Sequence, residues 1–249
     1  NSTRYGFHAN YYTEEAQFKE SGYDRYAIRS NIDADVTDWL TVGQRLGGTF
    51  EKFRGYRGNN SRGLLKHMME ARPLVPLLDE GGNWAGDIVG GTQNFQNQVA
   101  LLERQQDNFN REVTLSGNFY GTLKPIAGLA IKTLFGYNLS NNIGTNIQLP
   151  QFESRNGNRE TVLNNSNATN LSWNWSNTIN YQTSFSEVHN LDVLLGIEAR
   201  QNTFDFNNAS RGGFFSTDIN YLVLNAGEGD QLNSGSRGVS STSSKFGSV

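Results

Sequence analysis

The three histidines, His8, His67 and His189, are the side chains here best suited to hold a metal or move a proton near neutral pH. They lie far apart, with neither an H-x-x-x-H nor an H-E-x-x-H spacing, so one helix face cannot bring two of them onto a metal. His8 and His189 read as solvated side chains on the polar faces of strands. Asp79, Glu80 and Asp87 bring carboxylates into a glycine-rich stretch, as part of a calcium loop would, but they miss the EF-hand spacing. Glu14 and Glu15 read as a solvated loop pair. No G-x-S-x-G elbow and no P-loop occurs, and there is no cysteine for a thiolate site or a disulfide. The expectation is no catalytic group, no metal and no cofactor.

The remaining charges fall into a pattern. From Arg25 to Val36, Tyr26, Ile28, Ile32, Ala34 and Val36 share one face, and Arg25, Arg29, Asn31, Asp33 and Asp35 share the other. Soluble strands usually run about five or six residues, whereas a strand tilted across a bilayer needs about nine to eleven. Alternation of this length predicts a transmembrane β-barrel wall, apolar toward lipid and polar toward a lumen. Composition agrees: 36% of the 249 residues are hydrophobic, mean hydropathy is -0.58, and no run of about eighteen apolar residues marks a membrane helix. A net charge of -3 and a pI near 5.7 give no footprint for nucleic acid.

About seven such segments are legible: 3–12, 25–36, 40–50, 109–123, 128–139, 171–181 and 189–201. Short turns follow the second, fourth and sixth, including Thr37-Asp38-Trp39 and Lys124-Pro125-Ile126-Ala127. Longer connections follow the others. A barrel sorts its loops this way, with tight periplasmic turns and long extracellular loops. Within the long 52–108 connection, Gly63 to Arg72 predicts a short helix with Leu64, Leu65 and Met68 on one side, stopped at Pro73. Residues after Asn202 read as loop, with an apolar patch at 219–224 and a polar Ser/Gly tract from Ser234 to Val249.

Aromatic residues fall near the ends of the apolar stripes. Tyr26, Phe50, Tyr137, Trp173 and Trp175 mark the outer rim, and Trp39, Phe119 and Tyr181 the inner. On the other face, Arg25, Arg29, Asp33, Arg45, Glu112, Lys132, Asp192 and Arg200 point into the lumen, together with Asp35 and Glu198. There they either line a substrate path and hold a plug or simply keep the lumen wet. In the loops, Trp84, flanked by Gly81, Gly82 and Gly86, offers a ring face to a sugar, unless it packs under its own loop. Tyr56 is a weaker candidate, and the Leu64/Met68 stripe meets either neighbouring loops or a partner.

The run Tyr23-Asp24-Arg25-Tyr26-Ala27-Ile28-Arg29-Ser30-Asn31-Ile32-Asp33, continued by Thr37-Asp38-Trp39-Leu40-Thr41-Val42-Gly43, resembles an early barrel hairpin of SusC/RagA-type TonB-dependent outer-membrane transporters. Tyr5-Gly6-Phe7-His8-Ala9-Asn10-Tyr11-Tyr12 is similar to the strand before it. The stretches 128–137 and 180–198 are similar to later barrel segments. The resemblance spans nearly the whole chain, in short and degenerate motifs. It implies a barrel of about 22 strands with an N-terminal plug, a TonB-contacting segment, and a SusD-like surface lipoprotein that closes over the barrel. It also implies import of an oligosaccharide or peptide across the bacterial outer membrane.

On that reading residues 1–249 are part of the receptor β-barrel domain, without its plug or N-terminal extension. The chain starts at Asn1 with no initiator methionine, and its strand count is odd and too small to close. A piece of a larger protein is expected. The competing readings are a passive porin or autotransporter barrel, and a secreted all-β adhesin or carbohydrate-binding module.

Overall fold

The computed structural model describes residues 2–56, 69, 75–87, 97–185 and 189–249. Eight strands form one antiparallel sheet whose spatial order is the order of the chain. They are β1 (Thr3–Glu15), β2 (Gly22–Thr37), β3 (Leu40–Arg54), β4 (Phe109–Leu123), β5 (Leu129–Gln148), β6 (Val162–Phe185), β7 (His189–Gly212) and β8 (Leu232–Ser248). Each strand pairs with its sequence neighbour, as in an up-and-down barrel wall. No helix among the described residues is long and apolar enough to cross a membrane.

Register fixes the two faces. Asn31, Arg45, Asn118, Gly136, Asn174 and Arg200 lie on one row across β2 to β7. Since side chains alternate along a strand, this row and every second residue from it form a polar, inner face. The row beside it, Ile32, Gln44, Phe119, Phe135, Trp175 and Ala199, belongs to the apolar, outer face. On that outer face Ile28, Leu195 and Ile197 are 56%, 55% and 51% exposed, too much open apolar surface for a wall facing water on both sides.

The apolar band does not follow a register row. On β4 it covers 113–123 and Phe119 lies in its lower half, whereas on β6 it covers 171–185 and Trp175 lies in its upper half. The band therefore slides along the strands from β4 to β7, as strand tilt and stagger in a barrel require.

Three boundaries differ from the sequence expectation. β5, β6 and β7 run well past the apolar band, so the long polar connection expected at 140–170 shrinks to 149–161. Residues 16–21 alone join β1 to β2, about half the expected loop. The polar tract at 232–248 is an eighth strand, paired with β7 from Leu194 to Ser210. The helix expected over 63–72, with Leu64 and Met68, lies outside the described residues. A different helix, α1 (Gln98–Arg104), precedes β4.

The turns close on backbone hydrogen bonds. Gly128 sits at φ +83 and a Cβ there would lie 2.2 Å from the Gln182 carbonyl oxygen, so glycine is needed where the β4–β5 turn meets β6. Buried apolar residues are few. The main cluster, Ile147, Leu163 and Leu222 with Leu149, Phe214 and Leu224, forms where the 213–231 loop folds against the upper ends of β5 and β6.

Candidate translocation face and loop pocket

The inner face carries charges that are mostly paired across strands. Asp33, Gly43 and Tyr120 share a row, and the Tyr120 hydroxyl donates to Asp33 Oδ1 over the glycine between them. Arg45 lies 3.7 Å from the same carboxylate and 5.4 Å from the Tyr120 ring centroid, while Lys132 Nζ is 5.7 Å from that ring. Nearby, Asp35 accepts from Ser2 Oγ at 2.6 Å and Thr41 Oγ1 at 3.0 Å. Higher on the wall, Glu51 accepts from Tyr23 at 2.6 Å and pairs with Arg25 at 3.5 Å. Glu112 accepts weakly from Asn142 at 3.4 Å, and Asp192 from Gln182 at 2.9 Å.

Arg29 and Arg200 have no carboxylate within ion-pair distance among the described residues, and the Asn118 side-chain oxygen is buried without a hydrogen-bond partner. Arg29, Arg45, Asn118, Asn138 and Asn174 surround a shallow cavity of about 490 Å³ on this face. Such a surface binds water, a polar solute or another polar surface, and contains no nucleophile–base pair for catalysis.

Near the long-loop end of the inner face lies an aromatic cluster. The Tyr23 ring packs at a tilt against Phe53, centroids 4.5 Å apart, and against Tyr12 at 6.0 Å. These rings occupy polar-face positions, where they break the alternation, and in the sequence they do not stand out from the abundant outer aromatics. Tyr56 lies beside them, its amide donating to Ser21 Oγ at 3.1 Å and its ring 6.3 Å from Phe18.

The second site is in the loops. Asn97 caps α1 by accepting from Ala100 N, and its amide donates to the carbonyls of Leu77 and Ala85, tying the 75–87 segment to the helix. From the end of that helix Arg104 grips Glu153 in a two-pronged pair at 2.5 and 2.8 Å. Both are largely buried, and they fix the β5–β6 loop against α1. Trp84, bridged to Leu78, and Phe152, 65% exposed, line the resulting pocket of about 430 Å³. Phe152 had no signal in the sequence, because only folding brings it opposite Trp84.

Of the three carboxylates in this glycine-rich segment, two are engaged by backbone amides. Asp79 accepts from the Gly81 and Asn83 amides and Asp87 from the Arg155 amide. No trio of His, Cys, Asp or Glu gathers among the described residues. His8 does lie on the inner face, but His189 shares the parity of Leu191 and so belongs to the outer one, at the foot of β7. His67 is outside the described residues. In the β1–β2 loop, Lys19 pairs with Glu103 at 3.0 Å, and that bond holds its ammonium above the ordinary lysine range.

No family model matches the chain. It is 25% identical over 222 residues to TonB-dependent receptor P39 of Formosa agariphila, covering 83% of this chain and 20% of that one. TonB-dependent receptor P3 of the same organism is 24% identical over 234 residues, covering 91% and 23%. Among solved structures, the RagAB peptide transporter superposes with a TM-score of 0.77 at 20% identity, over 99% of this chain and 28% of that one. The chain is similar in sequence to TonB-dependent receptors and in fold to the RagAB transporter. It spans about a fifth of the length of the curated relatives. The likeness to RagAB, including its open-open state at a TM-score of 0.76, is one of fold. These relatives are named as receptors and transporters rather than enzymes.

Proposed function

We propose that the chain is part of the β-barrel domain of a TonB-dependent importer, and that the whole protein carries an oligosaccharide or a peptide across the bacterial outer membrane. One observation carries this: eight long strands in strict chain order, polar on one face and apolar on the other. β1 and β8 each pair on one side only, and in a bilayer those open edges need further strands to close the wall.

On this reading the wall crosses the membrane many times. Tyr26, Phe50, Tyr137, Trp173 and Trp175 anchor the outer interface, and Trp39 and Tyr181 the inner one. Both strand indoles already have polar partners: Trp173 Nε1 donates to Gln201 at 3.1 Å, and Trp175 Nε1 to Thr133 at 3.0 Å. The inner charges, Arg29 and Arg200 foremost, meet the plug or the passing solute. The Trp84–Phe152 pocket and the Tyr12–Tyr23–Phe53 cluster present ring faces to that solute at the extracellular mouth. A SusD-like lipoprotein closes over the mouth, and TonB engages a region outside this chain; the name of the RagAB neighbour supports a two-component assembly.

The test is uptake by cells that carry or lack the full-length parent gene, with and without functional TonB, together with identification of what copurifies from the outer membrane. TonB-dependent uptake and a copurifying lipoprotein support the proposal. Uptake that persists without TonB makes the protein a passive pore. A water-soluble species with no partner makes it a secreted binding module.

A further inference from the structure

Above the apolar band, the outer face carries a charge arrangement that the transport reading leaves unused. Lys52 of β3 and Arg111 of β4 are register partners on that face. Like charges placed directly opposite one another destabilise a strand pair. Among the described residues Lys52 has no carboxylate partner, and Arg111 rests on the Phe109 ring at 4.8 Å. The nearest acid in register, Asp24, is already engaged, accepting from Thr13 at 2.9 Å and pairing with Arg54 at 3.2 Å. Among the described residues Lys52 and Arg111 are thus left without a counter-charge, because the acid opposite Lys52 is taken by Arg54.

The position of the patch defines its surroundings. One outward position lower on β2 and β3 lie Tyr26 and Phe50, with Tyr11 4.9 Å from Tyr26, the aromatic border of the apolar band. Side chains just beyond such a border stand at headgroup height. From Arg111 a cleft of about 680 Å³ runs along the outer face over Asn165, Asn167, Asn207 and Asn233. Asn141 donates to Asn167 and Thr169 at 2.8 Å each, leaving an amide- and hydroxyl-lined surface with few charges.

We infer that this rim is a docking site for the phosphorylated saccharide headgroup of an outer-leaflet glycolipid. A phosphate between Lys52 and Arg111 relieves their repulsion, Lys as a point charge and Arg as a planar fork. The sugar ring then lies over the asparagine cleft, whose amides match hydroxyls as donors and acceptors. A free phosphate would use the cations and leave the cleft idle. Clusters of basic residues at the membrane surface recognise lipid headgroups in this way. The inference rests on the outer-membrane reading proposed above.

The test uses the full-length parent, purified from outer membranes in detergent and stripped of lipid. Native mass spectrometry follows the binding of lipopolysaccharide, of its dephosphorylated form, and of lipopolysaccharide in the presence of millimolar inorganic phosphate. The phosphorylated lipid is expected to bind, and the dephosphorylated form about tenfold more weakly. The K52Q/R111Q double variant is expected to show the same loss, while Lys124→Gln, in the short turn after β4, binds as wild type. Undiminished binding by the double variant overturns the inference, and so does complete displacement by inorganic phosphate, which would leave a bare anion site. Gel mobility before and after heating checks that each variant keeps its barrel. Absence of the parent from the outer membrane refutes the transporter reading itself, whereas a barrel that is present there and binds without regard to Lys52 and Arg111 refutes only the docking site.

Discussion

The Tyr120 hydroxyl of β4 reaches Asp33 of β2 across the whole width of β3, because the residue between them is Gly43. A Cβ on Gly43 would lie 2.4 Å from the Tyr120 ring and 2.6 Å from the Asp33 carboxylate. One missing side chain thus allows three strands to share a polar contact on the inner face, to which Arg45 adds its charge.

Gly43→Ala forces the ring off this row and is expected to lower stability by about 1–3 kcal/mol, as overpacking does. Tyr120→Phe removes only the hydrogen bond to a carboxylate, for about 1.5–3 kcal/mol. Urea unfolding of the full-length protein in lipid vesicles measures both. A Gly43→Ala protein as stable as wild type would show that the ring does not lie where the structure places it.

Much of this architecture is legible in the sequence, and what is missed has a physical pattern. Alternation identifies the faces of β2 to β7 because lipid selects apolar residues at every second position. The signal stops where the strands leave the lipid: around Asn165 and Asn167 both faces are polar, yet backbone pairing continues to Val162. β8 goes unseen for a different reason: its outward parity carries Asn233, Arg237, Ser241, Ser243 and Lys245, polar even where Lys245 lies beside Ile197 of the apolar band, so only the pairing with β7 reveals the strand. Of the two sites, the inner charges follow from parity alone. The Trp84–Phe152 pocket does not, because the Arg104–Glu153 pair that builds it joins residues remote in sequence.

The faces make a paired prediction at adjacent residues. Ile179→Arg places a charge in the apolar band and is expected to cost about 2–4 kcal/mol, whereas Asn180→Arg, opposite the uncharged Ala130 and Leu194 on the inner face, costs little. Equilibrium unfolding in vesicles separates the two, and equal costs would contradict the assignment of faces.

Breaking the loop clamp has a local effect. Glu153→Gln leaves the Arg104 guanidinium largely buried without its counter-charge, which costs about 3–5 kcal/mol for such a pair. The loss falls on α1 and residues 149–161, so hydrogen exchange there should rise while the strands keep their protection. Unchanged exchange in the loop would mean that the pair does not hold it.

Trp84→Ala and Phe152→Ala each remove a ring from the loop pocket. If the pocket receives the transported solute, each change weakens its binding by about 1–2 kcal/mol, the usual range for losing an aromatic anchor. Arg29→Gln on the inner face then alters uptake more than initial binding. Calorimetry on the purified protein and uptake by cells distinguish the two effects, and full affinity in both ring variants would remove the pocket from the path.

The central claim is a wall with water on one side and lipid on the other, and cysteine scanning along β7 tests it most directly. The chain has no cysteine of its own, so each introduced thiol from Leu191 to Arg200 reports alone within it. In intact outer membranes, thiols at 192, 194, 198 and 200 are predicted to react with a water-soluble maleimide, and those at 191, 193, 195 and 197 only with a lipid-soluble one. Reactivity without this two-residue period, or water-soluble labelling at every position, would contradict the barrel wall.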